Sequence, residues 1–93
     1  MKRELLKSKV FIRSAKKVIK KSPQIIDDIE ETLALLSEEA FYPSLKTHKL
    51  KGYLEGSWAC SAGYDLRIVF EFVQHNEAEA ILLEDIGTHD DVY

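Results

Sequence analysis

Apolar side chains recur along this chain with two different periods, and the change between them sets its architecture. From about residue 8, Phe11, Ala15, Val18 and Ile19 follow one another at the 3.6-residue period of an amphipathic helix, with lysines on the outer face. Ser22-Pro23 interrupts this pattern and restarts a second helix, serine as an N-cap and proline at the first helical position. Ile25, Ile26, Ile29, Leu33 and Leu36 form its apolar stripe, with Asp27, Asp28, Glu30 and Glu31 near the end where the helix dipole favours anions. The two helices are expected as an antiparallel hairpin. Pro43 closes the helical region.

Beyond it the period becomes two. Trp58, Cys60 and Ala62 alternate with Ala59 and Ser61, and Leu66, Ile68, Phe70 and Phe72 alternate with Arg67, Val69, Glu71 and Val73. Residues 79 to 86 supply a third run, and turns fall at Ala62-Gly63 and His75-Asn76-Glu77. The expectation is an α+β fold: a short N-terminal strand near residues 3 to 7, then the helix hairpin covering one face of an antiparallel meander.

With 93 residues, 45% hydrophobic and 31% charged, the chain supports one core, and residues 1 to 93 are expected as a single domain. No apolar run approaches the ~20 residues of a membrane-spanning helix, so no membrane partner is expected. The N-terminal Met1-Lys-Arg-Glu-Leu-Leu-Lys lacks the apolar stretch of a secretory signal, so a cytoplasmic location is expected. Cys60, the one cysteine, forms no internal disulfide, and a structural metal is not expected.

The net charge of −3 hides blocks of opposite sign. Residues 1 to 21 carry nine bases (Lys2, Arg3, Lys7, Lys9, Arg13, Lys16, Lys17, Lys20 and Lys21) against Glu4. Residues 22 to 45 carry six acids and no base. Lys46, Lys49 and Lys51 surround His48 in a second basic block, and from residue 54 onward Arg67 stands against nine acids. Such blocks are ordinarily solvated faces; a phosphate-binding surface requires the two basic ones to converge.

Thiol, P-loop and dinucleotide chemistries lack their parts here. Three histidines remain. His75 belongs to a hairpin turn, whereas His48 lies in a basic loop between helix and sheet and His89 just after the last strand. RNA cleavage needs a base for the 2′-OH proton, an acid for the leaving 5′-oxygen and cations for the phosphate, with no metal. Imidazole titrates near neutrality, Arg67 can grip a phosphate bidentately, and Tyr64 and Tyr93 offer rings for a splayed base. The alternation puts Arg67 on the strand face away from the core.

Four segments, His48-Lys-Leu-Lys-Gly52, Gly56-Ser-Trp58, Gly63-Tyr-Asp65-Leu-Arg67-Ile-Val-Phe70 and Asp85-Ile-Gly87-Thr-His89-Asp-Asp-Val-Tyr93, together resemble the RelE/ParE superfamily of type II toxins, in its YafQ-like branch. The resemblance implies a RelE-like microbial ribonuclease fold and a cytoplasmic endoribonuclease, free of metal and cofactor. It implies cleavage of mRNA at the ribosomal A site through 2′-OH attack, and silencing by a cognate antitoxin. His48 then matches a proton-transfer or positioning histidine, Asp65 an acidic site residue, and Arg67 a phosphate-contacting arginine. His89 matches an acid or base, and Tyr93 a terminal aromatic that stacks on a base or orients the 2′-OH. Lys46, Lys49, Lys51 and Tyr64 are the expected RNA-binding residues.

Two features depart from that branch. The stretch from Trp58 to Asp65 is short and offers only Cys60, Ser61 and Tyr64 where a second histidine is usual, and the chain is mildly acidic. The resemblance leaves two alternatives, a ParE-like toxin that inhibits DNA gyrase by binding and a degenerate antitoxin-binding homologue. The basic N-terminal region suggests an acidic antitoxin segment as its partner; a partner helix in an apolar groove beside the helix hairpin is the other option.

Overall fold

A computed structural model describes residues 2–93. The elements run β1 (Leu5–Lys7), α1 (Lys9–Lys21), α2 (Ile26–Glu38), β2 (His48–Lys49), β3 (Trp58–Ala62), β4 (Leu66–His75), β5 (Ala78–Thr88) and α3 (His89–Val92). The strands form one sheet in the order β1-β5-β4-β3-β2, with β1 parallel to β5 and the other pairs antiparallel. This is the α+β layout that the two periods predict, extended by a fifth strand that they did not show: β2 pairs His48 with Ala59 and Lys49 with Trp58. His48, expected in a loop, sits on this edge strand.

Ser8 starts α1 by accepting the Phe11 N–H at 3.0 Å, and its own hydroxyl donates to the Glu84 carbonyl at 3.1 Å. One side chain thus caps a helix and ties it to β5. Ser22 acts differently from the expected cap. It ends α1 through its backbone N–H on the Val18 carbonyl and leads into a 3₁₀ turn at Pro23–Ile25, without a side-chain cap. Proline still begins that turn, and α2 starts three residues later.

The core lies between the helices and one sheet face. Phe11 of α1 and Ile29 and Leu36 of α2 pack with Cys60, Ile68, Phe70, Ile81, Leu83 and Ile86. Each large side chain withdrawn here contributes about 1.5–3 kcal/mol. At one end Phe41, Trp58 and Phe72 form an aromatic cluster with centroids 5.4–5.9 Å apart.

Two local devices shape β5. Val69 pairs with Asp85 but Phe70 with Leu83, so Glu84 is an extra residue in a bulge. At the far end Gly87 leaves room for α3: a Cβ there would fall 2.8 Å from the Asp91 Cβ. Thr88 caps α3 reciprocally, its hydroxyl accepting from the Asp91 N–H at 3.3 Å while the Asp91 carboxylate accepts from the Thr88 N–H at 3.1 Å. These bonds to Thr88, then the charges of Lys21 and Lys17, hold the Asp91 carboxyl below its usual range. His89, expected just beyond the last strand, is therefore the first residue of a capped helical turn.

Burial raises the Cys60 thiol from 9.0 to about 12. Above pH 9 the unfolded chain gives up this proton and the folded chain keeps it, so the unfolded state binds fewer protons and stability falls as pH rises. Between pH 9 and pH 11, urea unfolding should show wild-type protein losing about 2 kcal/mol more than Cys60→Ala; equal slopes would contradict it. Gly87→Ala should lift α3 from the sheet. In NMR spectra the ring-current shift that Tyr93 imposes on His89 should disappear while core methyl signals stay in place; unmoved His89 signals would show that α3 does not rest on Gly87.

Candidate functional site

The face of the sheet opposite the helices carries the polar chemistry, and strand register puts it there. Leu66, Ile68 and Phe70 point toward the helices, so Arg67 and Val69 point the other way. Directly paired residues share a face, which places His48, Ala59 and Val69 in one row and Ser61, Arg67 and Gly87 in the next. His48 stands two strands from β4, roughly 10 Å across the sheet. Ala59 and Val69 are buried although they lie outside the helix-side core.

His48 is exposed, and its Nδ1 lies 2.9 Å from the Lys46 carbonyl oxygen. A carbonyl only accepts, so Nδ1 carries the hydrogen and the neutral ring offers the Nε2 lone pair to solvent. Arg67 is half-buried and donates to the Leu66 carbonyl at 3.0 Å. No carboxylate pairs with it among the described residues.

Because Gly87 pairs with Arg67, the helix resting on Gly87 is held beside that guanidinium. The exposed imidazole of His89 meets the Tyr93 ring edge-to-face, centroids 4.5 Å apart, and its Nδ1 is 3.7 Å from the Asp90 carboxylate. The Tyr93 hydroxyl is buried without a hydrogen-bond partner among the described residues. Burial raises its pKa and the Arg67 charge pulls the other way, so the phenol stays protonated at neutral pH. Arg67, His89 and Tyr93 form one group, and His48 shares their face across β3.

The remaining sequence-predicted residues spread around this group. Asp65 and Tyr64 belong to the exposed β3–β4 turn at the same end as α3, with Tyr64 97% exposed. Lys46 adopts a left-handed backbone (φ 52°) just before His48, and Lys51 is exposed beyond β2. Lys49 turns the other way: its ammonium sits 5.5 Å from the Trp58 ring centroid, on the helix-bearing face. The two basic blocks do not merge, since α1 packs on β5, three strands from β2 and on the opposite face from His48. Lys17 and Lys21 approach α3, lining with Asp85 and Asp91 a cavity of about 430 Å³.

Two features escaped the sequence reading. Tyr53, in a 3₁₀ turn at Gly52–Leu54, donates its hydroxyl to the Tyr93 carbonyl at 3.3 Å. A tyrosine after the glycine of a basic loop was its only trace. Glu84, the bulge residue, accepts from the Ser57 hydroxyl at 2.7 Å and lies close to Glu71, whose carboxyl is raised by burial and then by Glu84. The broken alternation at Leu82-Leu83-Glu84-Asp85 is the signal that marks it. Among the described residues no group of three or more His, Cys, Asp or Glu side chains could hold a metal ion, and no helix is long and apolar enough to cross a membrane.

Solved structures share this fold. YafQ from E. coli strain BL21(DE3) superposes with a TM-score of 0.79 at 16% identity, over 98% of both chains. In the E. coli DinJ-YafQ toxin-antitoxin complex the match has a TM-score of 0.77 at 17% identity, over 100% of this chain and 99% of that one. A YoeB/ParE toxin from Agrobacterium tumefaciens matches with 0.75 at 14% identity, over 92% and 98% respectively. A search of curated protein sequences finds no match. At these identities the structures establish the fold, a RelE-like α+β toxin fold. The family model for YafQ, the bacterial toxin of a type II toxin-antitoxin system, matches residues 3–93, and on that extent the chain belongs to the YafQ toxin family.

Proposed function

We propose that this toxin is a metal-independent endoribonuclease that cuts mRNA at the ribosomal A site. One observation carries the reading: among the described residues Arg67 has no carboxylate and the Tyr93 hydroxyl no hydrogen-bond partner, and the Arg67 charge acts on that phenol beside an exposed imidazole. A buried polar group left unpaired is costly, and an incoming phosphate oxygen would satisfy both.

The chemistry follows from the groups. The Nε2 lone pair of His48 accepts the 2′-OH proton as the 2′-oxygen bonds to phosphorus. The bond to the 5′-oxygen breaks, and His89 in its protonated form gives that oxygen a proton. The products are a 2′,3′-cyclic phosphate and a free 5′-hydroxyl. Arg67 and the Tyr93 hydroxyl stabilise charge on the phosphate in flight. Lys46, Lys51 and Tyr64 border the face as contacts for the RNA chain, with Asp65 as an acidic positioning group at the turn. Lys49, held at Trp58 on the other face, contacts RNA only by leaving that ring.

We further propose a cognate antitoxin, in keeping with the DinJ-YafQ complex. The cations of α1 have no carboxylate within ion-pair distance among the described residues, and an acidic antitoxin segment would supply that charge.

Purified protein added to translating ribosomes should cut the message, and His89→Ala or Arg67→Ala should slow cutting at least ~100-fold. Folding of the variants is checked by circular dichroism. An intact message in the presence of wild-type protein refutes the reading, and gyrase inhibition in its place would establish the ParE-like alternative.

A further inference from the structure

Tyr53 plays no part in the chemistry above, yet its placement is unusual. The residue is 90% exposed, while Tyr93, to which it is tied, is half-buried. Gly52, at φ +74°, turns the chain so that Tyr53 reaches across from the end of β2, which carries His48, to α3, which carries His89 and Tyr93. Its hydroxyl alone is engaged, at 3.3 Å on the Tyr93 carbonyl. An aromatic ring fixed by its polar tip and otherwise bare presents an apolar surface beside Tyr93 and the His89 imidazole that packs on it.

We propose that Tyr53 is a base-stacking platform of the site, receiving one unpaired base of the RNA strand next to the scissile phosphate. The proposal rests on the ribonuclease reading. Single-stranded RNA is held this way because every base has a π-face, and a ring already anchored at one end loses little further freedom on stacking. Tyr64 is also exposed, at 97%, but among the described residues no hydrogen bond fixes its ring, so Tyr53 is the better-ordered platform. The bond to Tyr93 also makes the platform continuous with the reacting groups.

A purely structural role, pinning α3 through the hydroxyl, makes different demands. Tyr53→Phe keeps the ring and loses the tether, whereas Tyr53→Ala loses both. The probe is a short 2′-O-methyl oligoribonucleotide, which lacks the attacking hydroxyl and is not cut; binding is read by fluorescence anisotropy at fixed salt. Tyr53→Phe should bind within about threefold of wild type, and Tyr53→Ala about 5- to 100-fold more weakly. Replacing one nucleotide at a time by an abasic residue should reveal a single position at which wild type and Tyr53→Ala bind alike. Phe and Ala variants equally weakened would assign Tyr53 to the tether alone, and an unaffected Ala variant would remove it from the site; either overturns the proposal. Message cutting by wild-type protein with an unaffected Tyr53→Ala defeats this inference only, whereas wild-type protein that neither binds nor cuts defeats both.

Discussion

Burial of one sheet face beneath α1 and α2 is the constraint on which the rest of the molecule depends. Once Ile68, Phe70, Ile81 and Leu83 are committed to the helices, the pleat turns Arg67 and Val69 to the opposite side. The pairing of β2 carries His48 to that side as well. A shift of one residue in β4 would send Arg67 into the core and Ile68 into water, so hydrophobic burial fixes where the guanidinium stands.

The second face is not left wholly open. Gly87, paired with Arg67, has no side chain, and α3 folds back over it to bring His89 and Tyr93 beside the arginine. The capping box at Thr88 and Asp91 closes this turn of four residues, which is too short to hold itself as a free helix. Tyr53 joins the same assembly from the other side through the Tyr93 carbonyl. The site thus draws on both edges of the sheet's middle strands while its floor remains the rigid pair β3 and β4.

Charge distribution follows the same division. The basic face of α1 lies on the helix side of the sheet, away from His48, while Glu71 and Glu84 occupy the bulge region beside Ser57. Burial first, and then the neighbouring Glu84 carboxyl, raise the pKa of Glu71. Net charge is a poor guide to such a molecule, because Arg67, Lys46 and Lys51 make a local field that the chain-wide sum does not show.

Local periodicity was enough to reveal the layers. It showed two helices before a meander and gave the faces of β3 and β4, because each depends on a pattern a few residues long. The resemblance carried by residues 48 to 93 added the family. Ser22 lost its expected role because a 3₁₀ turn intervened, and β2 went unseen because two residues carry no readable period. The partners of each element needed the folded chain: β1 in parallel beside β5, α3 seated on Gly87, Lys49 turned to Trp58, and the Tyr53 bridge to Tyr93. Sequence determined which face the residues of β3 and β4 take, since that follows from alternation alone. Tertiary structure decided which groups meet, since residues 40 apart, such as Tyr53 and Tyr93, become neighbours only when long-range packing closes the intervening chain.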